Sequence, residues 1–358
     1  MELKKHIAVL CDYWLMPNRI GGMDFFFWQF DAACKKQDIV VDWFFPNVGV
    51  HGEYPKLNII SEEGKSIETL FIEYAQKNPV YSHVITHFFE ICTHFFKAIK
   101  QNIPAKIIAV DHNSRPLEGY PLKKKVIKGI KGILYSKYID VFVGVSQYTV
   151  NELIRDFGER IKTKCLVIHN GILLENIKIR EVRNFINPSF LVVSGLRQSK
   201  GIQDLIVAVS QLPDEFKNKL IIDVYGEGPL EEYLLQRVKD FEVTNNFNFK
   251  GNSPTLSKTY CNYDYLLQPT YMECFSLTLL ESLAANVPVI TTPVGGNIEV
   301  VTNNKNGYIF PAKNVGELKE NIEELLKGTK SITENTRPFI EENFGLNRMV
   351  EKYINLLK

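Results

Sequence analysis

No window of this chain holds 18 uncharged apolar residues in a row, so nothing in it reads as a membrane-spanning helix. Neither sign of charge is in excess. A net charge of +1 gives no overall field to gather nucleic acid or an acidic partner, and any electrostatic function must be local. Cysteine is sparse and unpatterned: Cys11, Cys34, Cys92, Cys165, Cys261 and Cys274 show no CxxC spacing. That argues against zinc and against a disulfide framework, fits a reducing cytosol, and leaves all six as small buried hydrophobes. The opening MELKKHIAVLCDYW turns from a short basic lead straight into a strand-like run, with no h-region or cleavage site, so a cytoplasmic protein is expected.

What is present is ordinary globular material, 358 residues with 45% hydrophobic and 23% charged, too long for one core and so expected to form two domains. Short β-branched runs alternate with amphipathic stretches. HIAVLCD (6–12), HVITHF (83–88), AKIIAVD (105–111), VFVGVS (141–146) and CLVIHNG (165–171) read as buried parallel strands. A second series follows in FLVVSG (190–195), LIIDVYGEG (220–228), FNFKG (247–251), DYLLQP (264–269) and PVITTP (288–293). This βαβ signature predicts an α/β fold of two doubly wound, Rossmann-like domains facing across a cleft. The expected boundaries are 1–180, 181–336, and a kinked helix over 337–358 packing back onto the N-terminal domain, with 171–189 as linker.

Three stretches suit an anion. Gly21 and Gly22 precede a helical run and let backbone N–H groups approach a phosphate, although a Gly-Gly pair there is more often a turn. The neighbouring Phe25, Phe26, Phe27, Trp28 and Phe30 read as core. In VSGLRQSKG, Arg197 and Lys200 end a strand beside a helix start and suit a diphosphate. GEGP (226–229) lacks the third glycine of a dinucleotide fingerprint and reads as a strand-to-helix turn. Finally, YMECFSLTLLESLA sets Glu273 in a loop and Glu281 in the second turn of a helix over 276–285, with Leu277, Leu280, Leu283 and Ala284 on one face. The N–H groups of Phe275, Ser276 and Leu277 point into the loop mouth between the carboxylates. Ribose, diphosphate and sugar have that layout.

The Glu-x7-Glu spacing, GGNIEVV (295–301), NGYIFP (306–311), IHNGI (168–172) and GEGPLEEYL together resemble family 4 of the retaining glycosyltransferases, which have the GT-B fold. The resemblance covers nearly the whole chain and is strongest over 165–312. It implies that Glu273 contacts donor-sugar hydroxyls and Glu281 the ribose, and that backbone at Cys274, Phe275, Ser276 and Leu277 holds the diphosphate. Lys200 then neutralises phosphate charge, Gly21 and Gly22 approach the phosphate from the other domain, and His112 in AVDHNS lies near the reacting carbon. Two departures stand out. The family's GRLxxxKG has Ser194 and Gly195 where its arginine would stand, with Arg197 displaced. Its EGFG reads ECFS, so Cys274 and Ser276 replace glycines and narrow the pocket.

The implied activity is transfer of a sugar from a nucleoside-diphosphate sugar, most simply a UDP-sugar, to a hydroxyl of a glycan or lipid-linked acceptor, in bacterial surface polysaccharide or glycolipid assembly. No two aspartates are spaced Asp-x-Asp, the metal-bridging motif of the other large glycosyltransferase architecture, so no metal and no cofactor are expected. His87 and His94 lie seven apart, on one face if helical, without a third ligand. Glu273 and Glu281 as a glycosidase pair fit poorly with the cations around them. An epimerase or phosphorylase on the same scaffold, or a non-catalytic binding protein, are the alternatives. PLKKKVIKGIKGILYSKY (121–138) interleaves lysines with Val126, Ile127, Ile130, Ile133 and Leu134, which suits peripheral contact with anionic lipid.

Overall fold

The β-branched runs do form the sheets. In the computed structural model, which describes residues 4–17, 20–78 and 80–358, the first series runs β1 (His6–Cys11), α1 (Gly22–Lys35), β2 (Val40–Phe44), β3 (Asn58–Ile60), α2 (Ile67–Ala75) and β4 (His83–His87). It continues through α3 (His94–Asn102), β5 (Lys106–Asp111), α4 (Leu122–Tyr135), β6 (Val141–Gly144), α5 (Gln147–Phe157) and β7 (Cys165–Val167). The second series is β8 (Phe190–Val193), α6 (Ile202–Ser210), α7 (Asp214–Lys217), β9 (Ile222–Tyr225), α8 (Glu231–Asp240), β10 (Phe247–Gly251) and α9 (Leu256–Thr259). After it come β11 (Tyr265–Gln268), α10 (Leu277–Ala284), β12 (Val289–Thr291), α11 (Asn297–Val300), β13 (Gly307–Ile309), α12 (Val315–Leu326), α13 (Arg337–Phe344) and α14 (Leu346–Leu356).

Among the described residues the strands make a seven-stranded sheet ordered β3-β2-β1-β4-β5-β6-β7 and a six-stranded sheet ordered β10-β9-β8-β11-β12-β13. The pairs are parallel; β1, for example, sets Val9 against Trp43 of β2 and Ile85 of β4. Ile7 through Cys11 are fully buried, as expected where helices cover both faces of a parallel sheet. On one face Ala8 and Leu10 share a core with Phe96 and Ile99 of α3 and Leu153 of α5. In the second sheet's core, Leu205, Ile206 and Val209 of α6 pack with Leu318, Ile322 and Leu325 of α12. No helix among the described residues is long and apolar enough to cross a membrane.

The chain divides into two compact units, one running up to Gly171 and taking in Leu346–Lys358, the other Ile172–Gly345. The first boundary therefore falls at 171/172 rather than 180/181. The reason is a set of polar anchors that bind the expected linker to the second unit. Arg180 Nε bonds Asp264 Oδ1 at 2.8 Å and its N–H bonds the Ala285 carbonyl at 2.8 Å. Asp264 also accepts from the N–H groups of Asn184 (2.6 Å) and Ser189 (2.8 Å). The C-terminal stretch is likewise two helices, not one kinked helix, because Gly345 is extended at φ −67°, ψ 144°. α13 belongs to the second unit, where Phe344 packs on Phe275 at 5.6 Å and Arg337 Nη1 bonds the Ala284 carbonyl at 2.9 Å. Only α14 joins the first unit, through Tyr353 against Phe26 at 4.8 Å. Phe26, Phe27 and Phe30 are core, as the sequence suggested.

Candidate active site

In each sheet the chain builds outward in one direction, returns to the middle, and builds the other way. The reversals lie between β1 and β4 and between β8 and β11. Loops leaving the C-terminal ends of such strands flank the crevice where open α/β sheets bind ligands. The sequence-predicted residues of the second unit cluster at its reversal.

The loops after β8 (194–201) and β11 (269–276) are bound to each other. Ser199 carbonyl accepts the Tyr271 N–H at 2.7 Å and the Thr270 hydroxyl at 3.1 Å. Gly201 has φ +70°, and a Cβ there would lie 1.8 Å from the Pro269 carbonyl oxygen, so only glycine allows this approach. The result is that Lys200 Nζ and Glu273 Oε1, both mostly buried, form an ion pair. From the other side, Gly295 (φ +61°) leaves 2.1 Å between a hypothetical Cβ and the Glu273 carbonyl oxygen, and the Gly296 N–H bonds the Cys274 carbonyl at 3.0 Å. The GGNIE motif therefore clamps the Glu273 loop. Gly226 and Gly228 act in the same way on the 194–196 turn, with a Cβ 1.9 Å from the Ser194 oxygen and 2.5 Å from the Leu196 oxygen, so that GEG is a packing turn.

α10 starts one residue later than expected, capped by Ser276. The Ser276 Oγ accepts from the Leu279 N–H at 3.4 Å and from Gln268 Nε2 at 2.8 Å, inside a buried network that runs on to Thr291 and Asn297. This role was not legible beforehand. The cap takes the third N–H of the helix, while those of Leu277 and Thr278 have no acceptor in their own helix. The helix buries Leu279, Leu280, Leu283 and Ala284; Leu277, assigned to that face from the sequence, is half-buried at the mouth. Arg197 is exposed on the 194–201 loop, and Cys274 is half-buried rather than core.

Glu281 accepts from the Tyr260 hydroxyl at 2.9 Å, and Tyr260 in turn bonds Thr278. Burial pushes the Glu281 carboxyl up to about 7, against the lowering pull of the Tyr260 hydroxyl. Tyr260 lies 21 residues away in sequence on a short turn, and no local signal announces it.

In the first unit, Gly21 caps α1, and its N–H donates to Asp24 Oδ2 at 2.8 Å. Asp24 is buried and also accepts from Tyr13 and Tyr54. One of the donors expected to meet a phosphate is thus occupied, while Gly22 opens the helix. His112 follows β5, stacks on Phe88 at 4.3 Å, and sets its Nε2 2.9 Å from His87 Nδ1. Tyr13 also stacks on Phe88, at 5.5 Å. Burial lowers His112 to about 4 and His87 well below the usual imidazole range, so both are neutral at pH 7. His87 ends β4 and His94 begins α3, so the two do not share a helical face. The partner of His87 is His112, which comparing strand ends would have suggested. Just beyond, buried Arg115 bonds Asp111 Oδ2 at 2.7 Å and Asp156 Oδ2 at 3.0 Å, and Lys128 reaches Asp156 at 3.0 Å. Among the described residues, no group of three or more His, Cys, Asp or Glu is placed to hold a metal ion.

A family model described as glycosyl transferases group 1 matches residues 176–341. Among curated relatives, an uncharacterized glycosyltransferase of Methanocaldococcus jannaschii is 30% identical over 222 residues, 59% of this chain and 58% of the relative. The N-acetyl-alpha-D-glucosaminyl L-malate synthase of Bacillus anthracis is 29% identical over 265 residues, 65% of this chain and 69% of that protein. The match to the Methanocaldococcus protein thus spans little more than half of that relative's length. Among solved structures, Anabaena HepE in complex with UDP has a TM-score of 0.76 at 16% identity, over 98% of this chain and 99% of that one. The lipopolysaccharide outer core galactosyltransferase WaaB has a TM-score of 0.75 at 15% identity, over 98% of both chains. Both likenesses establish a GT-B architecture of two Rossmann-like units. Residues 176–341 are thus similar to the group 1 glycosyltransferases, and the chain has the GT-B fold.

Proposed function

We propose that this chain transfers a sugar from a UDP-sugar to an acceptor hydroxyl, with retention at the anomeric carbon and without a metal. The observation that carries the reading is the meeting of Lys200 and Glu273 at the reversal of the second sheet, beside the start of α10. Lys200 and the N–H groups of Leu277 and Thr278 meet charge developing on the departing diphosphate, a preorganised electrostatic role. Glu273 takes donor-sugar hydroxyls and Glu281 the ribose. Neutral His112 acts on the sugar as a hydrogen-bonding group, not as a proton donor. Arg197 adds a second cation to the diphosphate. The solved relative with UDP bound supports uridine as the base. The acceptor is a hydroxyl of a growing glycan or lipid-linked saccharide in surface polysaccharide or glycolipid assembly, reached from the cytoplasm.

The test is a thermal-shift panel of UDP, GDP, ADP and their sugars, followed by transfer or donor hydrolysis with EDTA present. The largest stabilisation is expected from UDP and a UDP-sugar, with EDTA leaving turnover unchanged. Strict dependence on an added divalent ion rules out the metal-free mechanism. Tight donor binding with no turnover on any acceptor or water favours a binding protein.

Glu281 adds a pH signature. Its ionised form accepts from two ribose hydroxyls, so UDP affinity is expected to rise as pH climbs through about 7 and then level off. Tyr260→Phe removes a donor to the carboxylate and moves that rise to higher pH. Pyrophosphate, which has no ribose, reports the phosphate's own titration and is unaffected by the substitution. Stability runs the other way. Between the ordinary carboxyl value of 4.5 and about 7 the folded chain keeps a proton that the unfolded chain releases, so the Glu281 contribution falls as pH rises through that window. Glu281→Gln is therefore expected to raise Tm at pH 8 while weakening UDP.

A further inference from the structure

Surface helices of soluble domains turn their apolar stripe inward. α4 does the reverse. Gly132 is its one buried residue, and a Cβ there would meet the Phe157 carbonyl oxygen at 2.3 Å, so the helix rests on the end of α5 by close backbone approach. Lys128 completes that contact through Asp156. The apolar side chains point to solvent. Leu122 is 78% exposed, Val126 53%, Ile130 51% and Ile133 58%, and these four sit at i, i+4, i+8 and i+11 on one face. Ile127 and Leu134 widen the stripe. The helix carries five lysines and no acidic residue. Lys131 pairs with Glu90 at 2.6 Å and Lys124 lies over the Tyr120 ring at 3.9 Å, while Lys123 and Lys125 are exposed.

We propose that α4 docks on an anionic bilayer, lying in the headgroup plane with its outward stripe among the acyl chains and its lysines against lipid phosphates. An exposed apolar face about 21 Å long calls for a partner. The positive charge of exposed Lys123 and Lys125, beyond the two lysines that pair with Asp156 and Glu90, selects a negative one. A second copy of this chain fits less well, because it would bring the two lysine rows together. The loop between His112 and α4 is tied to the helix through Arg115, Asp156 and Lys128, so docking would set the His112 end of the first unit near the membrane surface. This inference does not depend on the reaction proposed above.

The test is co-sedimentation of the full chain with vesicles of phosphatidylglycerol and phosphatidylcholine, and with phosphatidylcholine alone. Binding is expected on the anionic vesicles only, and weakened by salt. Each lysine is worth about fivefold in affinity, so the pair Lys123→Glu and Lys125→Glu is expected to lower binding by more than about 25-fold. Val126→Ser with Ile130→Ser is expected to abolish it. Both sets change exposed side chains, so unchanged melting curves and an unchanged UDP-induced shift show that the fold is intact. If the UDP shift is missing from every version, the donor reading fails while the vesicle result stands. No sedimentation with anionic vesicles, equal binding by the variants, or a concentration-dependent dimer that the serine variants dissolve would each overturn the proposal.

Discussion

Lys200→Ala is expected to lower kcat/KM for sugar transfer by about 10²–10³-fold, the usual cost of removing one group that stabilises transition-state charge. Two losses add. The diphosphate of the proposed donor would lose a cation, and Glu273, which is largely buried, loses the partner that balances it. The second loss also weakens the free protein by about 1 kcal/mol, since the pair keeps some contact with water and is worth less than a fully buried one. Lys200→Arg keeps the charge but not the reach of a point cation, so partial recovery is expected. The discriminating measurement compares UDP affinity with turnover. A purely structural lysine would lower Tm and leave kcat/KM per folded molecule unchanged, and that outcome would remove Lys200 from the mechanism.

Gly201→Ala is expected to be as damaging without touching any ligand. The new methyl would need to occupy the space of the Pro269 carbonyl, at a backbone angle of φ +70° that L-residues avoid. Separating the two loops breaks the Ser199 bonds to Tyr271 and Thr270 and pulls Lys200 from Glu273. The expected cost is about 2–4 kcal/mol of stability, with the UDP-induced thermal shift lost. Gly295→Ala is expected to act similarly through the Glu273 backbone. Gly129→Ala is the comparison, because a Cβ there meets nothing within 4 Å in the middle of α4, and about 0.5–1 kcal/mol of stabilisation is expected. If Gly201→Ala and Gly129→Ala melt alike, the clamp is not what holds the site.

Ten of the strands were readable from runs such as HIAVLCD and PVITTP; in most of them burial on both faces leaves an apolar stretch, whereas the edge strand β10 exposes Asn248 and Lys250. β2 escaped because Asp42 interrupts VVDWF. That carboxylate is buried but satisfied by the Tyr81 hydroxyl and Asn58 amide, both at 2.6 Å, and such compensation is invisible locally. β3 and β13 are three-residue edge strands, too short to show a period. The site followed the same logic. Glu273, Lys200 and the start of α10 stood out through spacing and loop chemistry. What each touches did not: Glu273 meets a lysine 73 positions away and His112 a histidine 25 positions away. The unit boundary was misplaced for the same reason, since the polar 171–189 stretch looks like solvent-facing linker until Asp264 is seen to anchor it.

The Lys200–Glu273 pair also bears on release of the spent nucleotide. In the transfer proposed above, a bound UDP-sugar would hold the lysine through phosphate and the carboxylate through sugar hydroxyls. Once the sugar has left, Glu273 has nothing to accept from and stands beside a diphosphate of its own sign. It can recover its partner only by drawing Lys200 back. The Lys200–Glu273 contact would therefore compete with UDP for its cation, and would expel the product more readily than the substrate.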